Sequence, residues 1–331
     1  MTPDQGCPAI DARGLTKRFD AVQAVAGIDI EVQAGELFGF LGPNGAGKST
    51  TINLLIGLAR PDAGTICIAG RDCTRNPKAA QDLLGVVCDE SNLYPELTGL
   101  ENLSFCGALY GMRRRERERR AHELLERVGL GEAAGRRFGG YSKGMKRRLT
   151  IAAGIMHRPP LLILDEPTTG IDVASARQIR QLIAGLNAAG TTVFLTTHYI
   201  EEAERLCRRI AFIVRGRIVR TDTVEELMRG TDGRHAVHVT VSGGVGDLCA
   251  VIAGAWPDLR CQAVADDGLR VESSEPVRVG PLVRLLEDRG AEVCEVRKLR
   301  PSLEEVFVEI TGIGAGAMQR EQEKRGKGGG R

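Results

Sequence analysis

Residues Gly42 to Ser49 read Gly-Pro-Asn-Gly-Ala-Gly-Lys-Ser, between the apolar run Leu37-Phe38-Gly39-Phe40-Leu41 and the segment Thr50-Thr51-Ile52-Asn53-Leu54-Leu55. A strand, a glycine turn and a helix in that order form a phosphate-binding P-loop, and few architectures accommodate one. Gly42, Gly45 and Gly47 let successive backbone N–H groups converge on phosphate oxygens, with Pro43, Asn44 and Ala46 filling the turn between them. The helix starting near Ser49 aims its positive end at the same point, with Thr50 in its first turn. Lys48 reaches the outer phosphates and Ser49 offers a hydroxyl to magnesium, so the segment is expected to bind a nucleoside triphosphate.

The 331 residues allow one large domain and a smaller one, and 42% apolar residues is ordinary for a chain with a real core. A net charge of only +2 gives no argument for nucleic acid or an anionic membrane. Nine cysteines, scattered from Cys7 to Cys294 without a Cys-x-x-Cys pair, and the lack of a secretory leader point to the cytoplasm. No apolar stretch approaches the roughly 20 residues of a membrane-spanning helix, so membrane association is expected through a partner chain. Arg113 to Arg120 is basic, but Glu116 and Glu118 interrupt it and no stacking aromatics lie nearby, which favours a solvated helix face over a nucleic-acid contact.

Residues 10–230 alternate strand-like and helical runs, as in an α/β layer around a mostly parallel sheet. Leu161–Leu164 and Thr192–Thr196 are short apolar runs suited to strands covered on both faces. A helical subdomain is expected at about 90–155, with a break at Gly111. From 235 to 311 the order β-α-β-β-α-β fits a small ferredoxin-like α+β unit, closed by a helix from Ser302 whose Glu305 completes a capping-box pattern. This C-terminal domain gathers no chemistry-bearing side chains and reads as a dimerisation or docking module. Residues 1–9 are a short extension, and 312–331, ending Gly-Lys-Gly-Gly-Gly-Arg, are expected to be a disordered tail.

Further motifs decide what the triphosphate is for. Leu161–Pro167 ends a buried strand in two carboxylates: Asp165 suits magnesium and Glu166 suits activation of the attacking water. His198 follows the run ending at Thr197 and can donate to the γ-phosphate. Tyr141-Ser142-Lys143-Gly144-Met145 places a hydroxyl and a glycine at the start of a basic helix, a second anion site by the same dipole argument, or simply a helix N-cap. No His or Cys spacing suits zinc, so magnesium is the only metal expected.

This order of motifs resembles the nucleotide-binding subunit of ABC transporters, from about Ile10 to Arg229. The resemblance makes Gly42–Ser49 the Walker A loop, Leu161–Pro167 Walker B, Ser142-Lys143-Gly144 the signature loop, Gly170-Ile171-Asp172 the D-loop and His198 the switch histidine. It places Phe19 where an aromatic stacks on adenine; the other reading of Phe19 is a core residue on an early strand. It implies an ATPase working as a head-to-tail homodimer, each ATP lying between the Walker motifs of one copy and Ser142 and Gly144 of the other.

Two motifs depart from the family pattern, one at Asp89 and the other at Lys143 and at Met145, which stands in place of a glutamine. Asp89 stands where a glutamine is usual, either as a magnesium ligand that sharpens dependence on the ion or as an oxygen acceptor like any other. Lys143 replaces a glycine, either adding charge near the γ-phosphate or, the favoured reading, facing solvent. One cassette with a C-terminal appendage ending Pro301-Ser302-Leu303-Glu304-Glu305-Val306-Phe307 resembles the daunorubicin-resistance branch of exporters, whose ATPase pairs with a separate permease at the cytoplasmic face of the membrane. Leu93–Thr98 is similar to a segment of that branch near the permease contact. Efflux of a drug, antibiotic or lipid is the leading expectation. Transport of sodium or a polysaccharide is the alternative, and action on ribosomes or DNA a more distant one, because neither a second cassette nor a long coiled-coil insertion is present. A GTPase is disfavoured because the guanine-reading Asn-Lys-x-Asp sequence is absent.

Overall fold

The computed structural model describes residues 7–88, 92–229, 235–264, 266–299 and 302–313. They fall into two compact units that divide between Thr223 and Val224.

In the first unit, β1 (Ile10–Phe19) and β2 (Val22–Val32) pair antiparallel, Ile10 opposite Val32. β3 (Leu37–Leu41), buried at every residue, leads through the glycine loop to α1 (Lys48–Leu55). β4 (Ala63–Ile68) and the short β5 (Arg71–Asp72) then return to the hairpin, giving an antiparallel sheet ordered β2-β1-β4-β5. β6 (Leu84–Val87) is followed by three helices, α2 (Gly99–Leu109), α3 (Arg114–Arg127) and α4 (Lys143–Gly154). Next come β7 (Leu161–Asp165), α5 (Val173–Ala188), β8 (Thr192–Thr197), α6 (Ile200–Leu206), β9 (Arg209–Val214) and β10 (Arg217–Thr223). The second sheet runs β10-β9-β3-β8-β7-β6 and is parallel except for its antiparallel edge strand β10.

The separate antiparallel sheet differs from the one alternating layer expected over 10–230. Its strands bury only one face: Ile10 and Ala12, then Ile28, Ile30 and Val32, recur at period two. That face joins Ile66 and Ile68 of β4, Ile52 and Leu55 of α1, and Phe38 and Phe40 of β3 in one apolar cluster. The Phe194 ring stacks on Phe38 at 5.8 Å and tilts against Phe40 at 5.5 Å. Each side chain so buried contributes about 1.5–3 kcal/mol, which fixes α1 and the loop before it between the two sheets.

The three-helix region breaks at Gly111, where φ is +73°, and α2 opens with a reciprocal cap between Thr98 and Glu101. Asn102, fully buried, accepts from the Tyr94 N–H and donates to the carbonyls of Tyr94, Leu97 and Thr98, pinning the turn that precedes α2. The basic run on α3 is less solvated than its composition suggests. Arg114 pairs with Glu118 at 2.8 Å on the surface, but Arg117 donates to Ser104 and Arg120 is buried against the end of α4, near the Ile155 carbonyl.

The second unit holds α7 (Val224–Arg229), β11 (His235–Ser242), α8 (Leu248–Ala255), β12 (Arg260–Ala263), β13 (Gly268–Ser273), α9 (Val279–Asp288), β14 (Glu292–Leu299) and α10 (Leu303–Thr311). Its antiparallel sheet runs β12-β13-β11-β14, the two middle strands being the first and third of the β-α-β-β-α-β run. Val237, Val239, Leu269 and Val271 from the sheet meet Ile252, Leu282 and Leu286 from α8 and α9. α10 begins with the Ser302–Glu305 box. A disulfide between Cys249 on α8 and Cys261 on β12, 12 residues apart, escapes a reading based on Cys-x-x-Cys spacing. Among the described residues no helix is long and apolar enough to cross a membrane.

Candidate active site

β3, β8 and β7 are neighbours in the parallel sheet, with Leu41 in register with Thr197 and Asp165 with Thr196. Their carboxyl ends therefore carry the glycine loop, His198 and the Asp165-Glu166 pair to one place, where open α/β sheets put ligands.

The loop's backbone is unusual in a useful way. Gly47 is the N-cap of α1 with φ +108°, and a Cβ on it would run into the Ala24 carbonyl. No side chain caps this helix, so the N–H groups of its first turn keep their donors and their positive end directed into the loop. Lys48, 6% exposed, donates to the Gly42 carbonyl at 2.7 Å and stands 3.3 Å from Glu166 Oε1. Ser49 Oγ lies 3.3 Å from Asp165 Oδ2, and Thr196 Oγ1 donates to Asp165 Oδ1.

Glu166 is the most constrained residue of the group. Its φ is +51°, a left-handed conformation that a residue with a side chain adopts only when its surroundings hold it there. Its N–H donates to the Thr196 carbonyl at 3.0 Å. Oε2 accepts from Thr169 Oγ1 at 2.8 Å and pairs with His198 Nδ1, while Oε1 faces Lys48. Burial by itself would lift the Glu166 carboxyl, yet the His198 bond and the Lys48 charge together bring it below the ordinary glutamate range. Asp165 shifts the other way: burial raises it, and neither Thr196 nor Ser49 cancels that. Two adjacent carboxyls thus differ, Glu166 beside the ammonium being held ionised while Asp165 keeps a proton more readily.

The remaining expected residues form a second group. Ser142 is an exposed N-cap of α4, its Oγ accepting from the Met145 N–H at 3.3 Å. Among the described residues no hydrogen bond joins it to the glycine loop. Gly144 is buried where a Cβ would collide with Ser175 Oγ, so its lack of a side chain lets α4 pack onto the start of α5. Asp172, exposed, caps α5 by accepting from the Ser175 N–H at 2.9 Å, which lowers its pKa. Lys143 is exposed, as expected, and its amine lies over Gly170. Phe19 is 50% exposed, which removes the core reading, and Lys17 Nζ lies 5.4 Å from its ring centre. Asp89 lies outside the described residues. Motifs do not single out Thr169 and Thr196, which donate to the two carboxylates, or Arg147, which donates to the main-chain carbonyl of Glu166; only their approach in space reveals them.

The donor set fits a nucleoside triphosphate: a buried ammonium, an uncapped helix start and a serine hydroxyl beside one carboxylate. Among the described residues no group of three or more His, Cys, Asp or Glu side chains could hold a metal unaided, so a cation here needs phosphate oxygens as further ligands. Residues 25–169 match the family model for ABC transporters. A linearmycin resistance ATP-binding protein of Bacillus subtilis is 38% identical over 306 residues, 92% of this chain and 98% of its own length. The chain belongs to the ATP-binding subunits of ABC transporters. This ABC subunit is also 38% identical to a daunorubicin resistance ATP-binding protein of Streptomyces coeruleorubidus, over 92% of this chain and 96% of that one. Its fold is similar to a dimeric ATP-binding cassette solved in a post-hydrolysis state with ADP and Pi, at a TM-score of 0.60 and 28% identity over 65% of this chain and 98% of that one. The ABC subunit is accordingly an ATPase, a class whose members dimerise and work with separate permeases.

Proposed function

We propose that this subunit energises export of a drug, antibiotic or lipid through a separate permease at the cytoplasmic face of the membrane. Two copies meet head to tail, and each ATP lies between the glycine loop of one and Ser142 and Gly144 of the other. The observation that carries the reading is the linked cluster Lys48–Glu166–His198 beside Ser49–Asp165, with Ser142 exposed on a different element and, among the described residues, not hydrogen-bonded to it. Glu166 accepts the proton of the attacking water, Lys48 offsets charge on the outer phosphates, and His198 orients the carboxylate and the γ-phosphate. Ser49, Asp165 and Asp89 would hold magnesium, which would supply neutralisation of phosphate charge. Phe19 stacks on the base, and Asp172 lies at the surface between copies. The names of the two resistance relatives support the cargo class.

An apolar groove of about 570 Å³ supports the permease contact. It is lined by Leu58, Tyr94, Phe105, Leu109 and Tyr110, all with substantial exposure, beside the turn that Asn102 holds. Exposed aromatic and aliphatic anchors of this kind carry most of the energy of an interface. Leu109→Asp is therefore expected to lower the permease recovered with the chain by about tenfold in detergent pull-down. Cells making the chain with its permease should tolerate linearmycin- or daunorubicin-like compounds better than cells making either alone; equal sensitivity would refute the export reading.

A further inference from the structure

We propose that Arg147, on the signature helix α4, is a positioning residue for Glu166 that makes hydrolysis depend on where the helical subdomain sits. Arg147 is buried, at 7% exposure, and its guanidinium reaches from the helical region to two loops of the sheet. One nitrogen donates to the Cys88 carbonyl, at the end of β6 just before Asp89. Another donates to the Glu166 carbonyl at 3.0 Å. The planar fork lets one side chain hold two main-chain oxygens at once, which an ammonium on a flexible stem does not do.

The second bond falls on the backbone of the one catalytic candidate in a left-handed conformation. That conformation costs of order 1–3 kcal/mol and persists only while neighbours over-determine it. On the N–H side the restraint is Thr196, a strand residue of the sheet itself. On the carbonyl side it is Arg147, which belongs to α4 and moves with it. Displacing α4 therefore loosens the peptide after Glu166 and lets the carboxylate turn from Lys48 and His198, and returning α4 restores it. The same side chain links Glu166 to the strand end beside the apolar groove, whose wall includes Cys88, Thr150 and Gly154. An event at the groove thus has a short path of hydrogen bonds to the main chain of Glu166.

The inference rests on Glu166 as the general base, and the experiment separates the two. In the full chain, Arg147→Met keeps the stem and removes both donors, while Arg147→Lys keeps charge and serves one carbonyl at most. Arg147→Met should lower kcat by at least about tenfold, since misplacement of a base by an ångström is worth up to about 10²-fold. KM and the affinity for a fluorescent ATP analogue should stay within about threefold, because the glycine loop is untouched. Arg147→Lys should fall between Met and Arg. Added to Glu166→Gln, Arg147→Met should change residual turnover by less than about threefold, because its effect passes through the missing carboxylate. A kcat within about threefold of the parent, full activity in Arg147→Lys, or a loss that adds in full to that of Glu166→Gln would each overturn the proposal. Should Arg147→Met not fold, the Arg147→Lys pair decides by the same kcat and additivity criteria. Near-normal turnover of Glu166→Gln by itself would instead remove the base assignment.

Discussion

Glu166→Gln should turn ATP over about 10²–10⁴-fold more slowly than the parent chain while still binding it, the scale of a lost general base. The amide has nearly the same shape and can still accept from Thr169, which donates to Oε2 at 2.8 Å. It cannot take a proton from water. The charge it removes lies 3.3 Å from Lys48 and beside His198, so both groups become freer to face phosphate. ATP should then hold two copies together, because closure is biased by ligand and only hydrolysis releases it. Phosphate release and size-exclusion mass measured with ATP test both halves; near-normal turnover would mean that the proton goes elsewhere.

Lys48→Ala should act one step earlier, on binding. The ammonium is buried, donates to Gly42 and Pro43 carbonyls at 2.7 and 3.3 Å, and is the cation nearest the Glu166 carboxylate. A charge-assisted bond to phosphate contributes about 1.5–3 kcal/mol, so affinity should fall about 10- to 100-fold by calorimetric titration. The glycine loop itself should persist, since it is held by the packing of Gly47 on Ala24 and not by the side chain of Lys48. Glu166, deprived of a charge that lowers its pKa, should become a weaker acid. An unchanged affinity would show that the loop's N–H groups alone bind the ligand.

How much of this was legible in the sequence depends on how local each feature is. Gly42–Ser49, Asp165-Glu166 and the Ser142 cap are contiguous, and each appears in the fold where its neighbours predict. The α8 to β14 run was equally readable because its periods change cleanly from element to element. The β1–β2 hairpin was not: its burial alternates over one face, and its partner β4 lies more than 40 residues on, with the glycine loop and α1 between them. Arg120 sits in a basic run that reads as solvated and Arg147 in a helix that reads only as basic, yet each is buried, because only the packing of helices decides which arginine of a run points inward. The φ of Glu166 left no trace in sequence at all, since any residue type can be forced into it by surrounding bonds.

The central claim is that one active site is assembled from two copies, and complementation tests it most directly. Lys48→Ala breaks a copy's own glycine loop, whereas Ser142→Arg blocks only what that copy lends to the other. Each variant alone should hydrolyse ATP poorly. Mixed in equal amounts, they should regain magnesium-dependent ATPase activity, because a mixed pair contains one site with an intact Lys48 facing an intact Ser142. A mixture no more active than its two components would contradict the account and place Ser142 and Lys48 of the same copy in the same site.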